Sequence, residues 1–155
     1  MIPPHDVSID LGLRRLDRTW EVSRTYLASG TPAAWCLAYV PVSWHGQEVA
    51  RPSVPGELRW QLEQELDVLV THVVATIEAW PASGDCAEAL KIPVATPLLL
   101  NRNLNLIADG KPIMVGLNYS DSRVLSARLV QFLSPDPGHV PGRGIDDRRP
   151  AAVEA

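Results

Sequence analysis

Two arginines in apolar surroundings are the side chains of this 155-residue chain best suited to chemistry. Arg24 lies in the stretch 20–27, and Arg102 lies in the stretch 98–107, where leucine fills most even positions. An unpaired buried charge is very costly, so an arginine seldom enters an apolar surface without a partner. Its planar fork of donors suits a carboxylate or a phosphate. We predict that both arginines hold an anionic ligand in one mostly apolar cavity. The alternative is that each pairs with a structural Asp or Glu, or reaches water at an edge.

Two similar turns position these arginines. Residues 27–32 and 107–112 both read apolar-Ala-x-Gly-x-Pro, and a tyrosine, Tyr39 or Tyr119, follows each copy at the same distance. Ser-Gly or Asp-Gly between apolar runs signals a tight hairpin turn, because glycine takes a positive φ at little cost. The sequence therefore predicts two equivalent β-hairpins within one antiparallel sheet.

A two-residue turn fixes which side chains share a side of the hairpin. Around Ser29-Gly30, Arg24 then faces Trp35, and Tyr26 shares their side. Around Asp109-Gly110, Arg102 faces Leu117 on an apolar side. The opposite side of the second hairpin carries polar, small or flexible residues: Asn101, Asn103, Asn105, Asn118, Met114 and Gly116.

Weaker candidates surround this pair. Tyr26 and Trp35 could line the cavity, although such aromatics are more often plain core. His72, in the β-rich stretch 67–80, could transfer protons near neutral pH, although a lone strand histidine is more often structural. We interpret Cys36 as a small core residue.

The remaining pattern predicts an α+β fold. Helices are expected at 56–66 and 83–90, a short strand at 7–10, a long strand within 67–80 and a last strand at 125–133. The sheet would hold about six strands, with the helices packed on it. Residues 1–133 would form a single domain, and the Pro- and Gly-rich residues 134–155 a disordered or loosely packed tail.

Composition limits the function. The net charge of −4, with no basic cluster on a predicted helix, argues against nucleic acid. No apolar run is long enough to span a membrane, and the N-terminus does not resemble a signal peptide. Two cysteines without metal-ligand spacing predict free thiols, and hence a cytoplasmic protein. No motif for a metal or a cofactor is present, so we expect neither.

The turns resemble those of a known family. Leu11-Gly12-Leu13, Arg24, the stretch 30–32, the stretch 39–41 and the second turn at 109–112 are similar to the UTRA domain. That domain is the effector-binding half of many GntR/HutC-type bacterial regulators, and it shares the fold of chorismate pyruvate-lyase. The resemblance covers roughly residues 7–133 and implies a six-stranded antiparallel sheet that encloses a small ligand.

The resemblance also suggests site residues. Arg24 matches an arginine that contacts the ligand in UTRA sensors. A glutamate of the UTRA family falls on Met114 here, and the catalytic glutamate of the lyase falls near Leu117. Both acids are therefore missing, which speaks against chorismate cleavage and against a sugar-phosphate effector. We retain Met114 and Leu117 as candidate ligand contacts.

Three functions remain open. UTRA regulators carry a DNA-binding domain ahead of the sensor, and we expect none in this sequence. The first hypothesis is therefore a cofactor-independent enzyme, of the lyase, isomerase, dehydratase or cyclase type, that encloses a small, largely apolar organic acid. Its catalytic residues would be Arg24, Tyr26 and His72. The second is a non-catalytic, effector-binding regulatory protein. The third is a structural domain that forms a homodimer through its sheet edges.

Overall fold

The computed structural model describes residues 1–52, 58–126 and 128. In this part of the chain three helices accompany seven strands. The helices are α1 (His5–Asp10), α2 (Leu58–Leu66) and α3 (Gly84–Leu90). The strands are β1 (Thr19–Ala28), β2 (Thr31–Pro41), β3 (Ser43–Trp44), β4 (Gln47–Glu48), β5 (Val70–Pro81), β6 (Pro97–Ile107) and β7 (Pro112–Asp121).

Five strands form one antiparallel sheet in the order β1-β2-β7-β6-β5. The two predicted hairpins, β1–β2 and β6–β7, are neighbours in this sheet, where they meet along β2 and β7. The short strands β3 and β4 pair only with each other. The predicted α+β fold, with an antiparallel sheet built from two hairpins and helices packed on it, is confirmed.

A β-bulge changes the register of the first hairpin. Ser29 and Gly30 both have positive φ, so the turn is the predicted tight one. Next to the turn Leu27 faces Pro32, as predicted, but Tyr26 faces Ala34, which leaves Ala33 as an extra residue on β2. A bulge shifts every pairing beyond it by one residue and so exchanges the two sides of the partner strand.

The predicted partner of Arg24 is therefore wrong. Arg24 faces Cys36 and not Trp35, and the other pairings of this hairpin shift in the same way. In the second hairpin Arg102 faces Leu117, as predicted. There the bulge falls at Ile113, which places Leu106 opposite Pro112 instead of Ile113.

The sheet has two chemically distinct faces. The amide face carries Asn101, Asn103, Asn105 and Asn118, because these residues lie in register across β6 and β7. The aromatic face carries Trp35, Tyr39 and Tyr119. On the aromatic face the rings of Trp35 and Tyr119 lie 5.5 Å apart between centroids, at an angle of 31°.

Helices cover both faces. On the aromatic face Val7 of α1 and Leu11, which follows the helix, pack against the sheet residues Tyr39, Leu100, Val115 and Leu117. Cys86 and Leu90 of α3 pack beside Trp35 and Tyr119 on the same face. On the other side α2 buries Leu58, Leu62 and Leu66 against Val40 and Met114. The amide face is thus roofed at one end by a single amphipathic helix.

The segment around Val7 differs from its prediction. Alternating apolar residues suggested a strand at 7–10, but the chain forms the helix α1 there, which begins after Pro4. The helix of the stretch 56–66 is described from Leu58 onward, and the strand and helix that follow it are confirmed as β5 and α3. The predicted strand at 125–133 lies mostly outside the described residues, as does the whole of 134–155.

Candidate ligand-binding site

A cavity of about 430 Å³ lies between the amide face and α2. The strands of the sheet supply its floor and one side, and α2 supplies Leu58 and Arg59. The lining residues of the strands are Val22, Arg24, Tyr26, Cys36, Leu37, Ala38, Val73, Asn103, Asn105, Met114, Gly116 and Asn118. Most of these positions belong to ladders inside the sheet, so the cavity rests on rigid elements.

Arg24 brings a positive charge to this cavity. It is half-buried on β1, directly across from Cys36 on β2, which in turn faces Asn118 on β7. Burial raises the pKa of the Cys36 thiol to about 11, while the charge of Arg24 acts in the opposite direction. Cys36 is therefore a neutral thiol at physiological pH and a poor nucleophile.

Three asparagines give the cavity floor its hydrogen-bonding groups. The side-chain amide nitrogen of Asn118 donates to the carbonyl of Asn101 at 3.3 Å. The amide nitrogen of the buried Asn105 donates at 3.4 Å to the carbonyls of both Met114 and Asn103. Beside them the buried Oδ1 of Asn101 accepts no hydrogen bond in the structure. Asn105 and Asn118 are thus held against the sheet backbone, which orients their amides relative to the cavity.

Arg59 is a second cation at the edge of the cavity. Its Nη1 lies 3.2 Å from Oε1 of Glu63, one helical turn along α2, and the arginine side chain is 49% exposed. The same Glu63 oxygen accepts a hydrogen bond from the backbone of Val70 at 2.9 Å. Glu63 therefore fixes α2 to the start of β5, and Arg59 is oriented by it.

The predicted site residues divide between the two faces. Arg24, Tyr26 and Met114 line the cavity. Trp35, Leu117 and Arg102 lie on the aromatic face, so the prediction of one cavity shared by both arginines is wrong. One reason is the bulge at Ala33, which places Trp35 and Arg24 on opposite faces. The other is the register between β2 and β7, which places Trp35 on the same face as Leu117 and Arg102.

His72 also lies away from the cavity. It faces Leu106 on β6, whereas its neighbour Val73 faces Asn105 and lines the cavity. Successive side chains of a strand point to opposite faces. His72 is exposed, and its Nδ1 lies 2.9 Å from the hydroxyl oxygen of Thr71.

Arg102 is held by two carboxylates of α1. Its Nη1 lies 2.6 Å from Asp6, and its Nη2 lies 2.7 Å from Asp10. Burial acts to raise the pKa of Asp6, but the hydrogen bond and charge of Arg102 outweigh it, so this pKa is lower than usual. The structural alternative for this arginine, an ion pair with acidic side chains, is the arrangement found.

The asparagines of the cavity floor are predictable from the sequence as one side of the second hairpin, but not as ligand contacts. Asn103, Asn105 and Asn118 were placed together opposite the apolar side of the second hairpin, and the structure confirms that placement. Their signal in the sequence is the series of asparagines at positions 101, 103 and 105, which puts three carboxamides on one face of a strand. What the sequence did not reveal is that Arg24 joins that face.

A larger hollow of about 700 Å³ lies elsewhere, near the ends of the hairpins. It is lined mainly by loop residues, among them Gly12, Asp17, His45 and Lys111. The cavity on the amide face is the better candidate, because its polar groups project from central strands of the sheet and converge on one space.

Two further properties concern the described part of the chain. No three side chains of His, Cys, Asp or Glu there are arranged to hold a metal ion. None of the helices among those residues has the length and apolar character that a membrane span requires.

Comparison with solved structures identifies the fold. The ligand-binding domain of a Bordetella bronchiseptica protein assigned to the GntR family of transcriptional regulators superposes with a TM-score of 0.73 at 17% identity, over 85% of this chain and 84% of that one. A GntR-family regulator from Enterococcus faecalis V583 gives 0.73 at 21% identity, over 84% and 94%. The effector domain of PhnF from Mycobacterium smegmatis gives 0.70 at 14%, over 86% and 82%.

Sequence comparison points the same way. No curated protein sequence matches the chain. The family model described as the UTRA domain matches residues 1–123, which include every helix and strand of the structure. The chain therefore belongs to the UTRA domain family.

Proposed function

We propose that this chain binds a small organic anion in the cavity on the amide face and acts as an effector-sensing domain. The observation that carries the proposal is the convergence of Arg24 with three asparagine amides in one cavity of about 430 Å³. Cavities for small molecules usually measure about 300–1,000 Å³ and combine apolar walls with a few placed polar groups.

The lining indicates the charge of the ligand. Arg24 and Arg59 are the charged side chains among the described residues that line the cavity. Arginine presents several donors in a plane, which matches a carboxylate or a phosphate. The apolar part of the lining, with Val22, Leu58 and Met114, would cover the body of the ligand.

The related structures support sensing over catalysis. The Bordetella bronchiseptica structure is a ligand-binding domain, and the PhnF structure is an effector domain. By analogy, we assign effector binding to the present chain as well. The homodimer and the cytoplasmic location expected from the sequence remain predictions.

The enzyme hypothesis loses part of its proposed machinery. A general acid or base must lie within hydrogen-bond reach of the reacting group. Tyr26 lines the cavity, but His72 lies on the other face of the sheet, so these two side chains do not serve one reacting centre. We therefore favour the non-catalytic alternative.

Native mass spectrometry tests this proposal. The protein is incubated with a small-molecule extract of its source organism, desalted and weighed under non-denaturing conditions. We expect a defined added mass that is released on denaturation and recovered chemically unchanged by liquid chromatography and mass spectrometry. Arg24→Gln should lose this adduct, whereas Arg15→Gln, which alters an exposed arginine outside the cavity, should retain it.

Two results would contradict the proposal. If the wild type acquires no adduct from the extract, the chain does not sense a small molecule of that source. If the bound compound is converted during incubation and Arg24→Gln stops the conversion, the enzyme hypothesis is correct instead.

A further inference from the structure

Gly116 lies at the centre of the cavity floor. It is in β7, the middle strand of the five, where its cross-strand neighbours are Ala38 on β2 and Asn103 on β6. Met114 and Asn118 flank it along β7, on the same face. Nothing projects from the floor at this point, so the peptide backbone of β7 is open to the cavity.

Neither the backbone nor the packing requires glycine there. The described glycines with positive φ are Gly12, Gly30, Gly46, Gly84 and Gly110, and Gly116 is not among them. A Cβ atom added to Gly116 would lie 3.9 Å from Cβ of Asn103 and 4.0 Å from Nδ2 of Asn118. These are ordinary van der Waals distances, so a side chain would fit into the cavity at this point.

Glycine in the interior of a strand weakens the sheet, and it often marks a place where a ligand approaches the backbone closely. The surroundings of Gly116 indicate what kind of group would approach. The carboxamide of Asn103 offers a donor beside an acceptor, and that of Asn118 keeps a second N–H and its Oδ1 after its Nδ2 donates to the carbonyl of Asn101. A flat, uncharged group with its own adjacent donor and acceptor can form two hydrogen bonds with such an amide. The same group can lie in contact with the backbone of β7 at Gly116, because no side chain projects there.

The distance from Arg24 limits the size of the ligand. Arg24 and Gly116 are separated by two strand spacings across the sheet and by two residues along it. Those separations correspond to about 10 Å and about 7 Å. The direct distance between the two residues is the diagonal of these separations, and an extended arginine side chain covers roughly half of it. A single ring that bears one acidic group would span the rest.

We infer that Gly116 is the specificity-determining residue of the cavity, and that it receives a planar, uncharged, hydrogen-bonding ring whose acidic substituent points to Arg24. This inference rests on the proposed function, and it replaces the largely apolar acid expected from the sequence with a polar one. Glycine at this position serves ligand binding and not the fold.

Three probe compounds test the inference by isothermal titration calorimetry. Orotate has a planar ring with donors and acceptors and a carboxylate, uracil lacks the carboxylate, and benzoate lacks the polar ring atoms. We expect the wild type to bind orotate at least tenfold more tightly than either of the others. Gly116→Val should bind orotate at least tenfold more weakly while its melting temperature stays equal or rises, because valine favours strands.

Two variants serve as controls. Gly116→Ala adds one methyl group and should weaken orotate binding less than valine does. Ser120→Val places the same valine side chain on the same face of β7, outside the residues that line the cavity, and should leave binding unchanged.

The inference is overturned if orotate binds no better than benzoate and uracil, or if none of the three binds. It is also overturned if Gly116→Val binds orotate like the wild type, or if both Gly116 variants lower the melting temperature by more than Ser120→Val does. The proposed function is judged separately, because the mass-spectrometric adduct from the extract does not depend on these probes.

Discussion

Arg24 and Arg102 lie on opposite faces of one β-sheet. Arg24 faces Cys36 on β2, whereas Arg102 faces Leu117 on β7, and Leu117 itself faces Leu37, the neighbour of Cys36. The first arginine lines the cavity on the amide face, and the second is bound by carboxylates of α1 on the aromatic face. Two similar sequence environments thus give one candidate ligand contact and one structural ion pair.

Replacing Arg102 should reduce stability without affecting ligand binding. Arg102→Met removes the partner of Asp6 and Asp10 and keeps the apolar stem of the side chain. We expect the free energy of unfolding in urea to fall by about 1.5–3 kcal/mol, the range for hydrogen bonds to charged groups. Affinity for the ligand of the amide face should change less than twofold. A similar loss of affinity for Arg102→Met and for Arg24→Gln would contradict the separation of the two faces.

Acid should weaken the contact between α1 and the sheet. Arg102 holds the pKa of Asp6 below its usual value, so the folded state takes up this proton less readily than the unfolded chain does. The resulting stabilisation is complete above the unfolded pKa and disappears as the pH falls from about 5 through the lowered pKa. Urea unfolding of Asp6→Asn should therefore depend less on pH in this window than unfolding of the wild type. An equal acid dependence of the two proteins would exclude Asp6 as a contributor.

Replacing Arg24 should separate the effect of charge from that of geometry. Arg24→Gln removes the charge and should weaken binding of the anionic ligand about 10- to 100-fold, as expected for a charge-assisted hydrogen bond. Arg24→Lys keeps the charge but loses the planar fork, so its affinity should fall between those of the wild type and of Arg24→Gln. Titration calorimetry measures the affinities of both variants for the ligand that native mass spectrometry identifies. Unchanged affinity in Arg24→Gln would remove Arg24 from the site.

Cys36 should report occupancy of the cavity. Because burial raises the pKa of Cys36 to about 11, we expect iodoacetamide to react with it at pH 7.5 on the order of 100-fold more slowly than with glutathione. A bound ligand should slow the reaction of Cys36 further. Burial also raises the pKa of Cys86 to about 11, but this residue lies in the α3 core and should not respond to ligand. Peptide mass mapping distinguishes the two thiols. If the ligand protects both equally, it slows the unfolding of the whole domain and does not specifically cover Cys36.

The sequence was a good guide where turn residues decide the structure. Ser29-Gly30 and Asp109-Gly110 located both hairpins. In the second hairpin Arg102 faces Leu117 as predicted because two deviations cancel: residues 108–110 form a three-residue turn, and the bulge at Ile113 offsets the extra residue. The first register was wrong because a bulge depends on packing around Ala33, which is 1% exposed, and not on a turn signal. Local patterns do not report such a tertiary constraint.

The prediction at the N-terminus failed for a different reason. Val7 and Ile9 alternate like a strand, but Val7 and Leu11 are spaced like the buried face of a helix. Asp6 and Asp10 have the same spacing, and both reach Arg102 from one side of α1. Six residues are too few for one periodicity to prevail over the other, so only the contact with the sheet decides.

The extra residues Ala33 and Ile113 make this architecture unusually sensitive to small changes in chain length. Deleting either residue would shift the register of its strand, β2 or β7, by one residue. Side chains of that strand that now face α2 would then face α1, without any substitution. In β2 such a deletion would bring Trp35 into the row of Arg24 and hide Cys36 on the far side. The chemistry offered to a ligand is thus encoded partly in the number of residues between each turn and the cavity-facing side chains of the strand that follows it, a property that comparisons of residue identity alone would overlook.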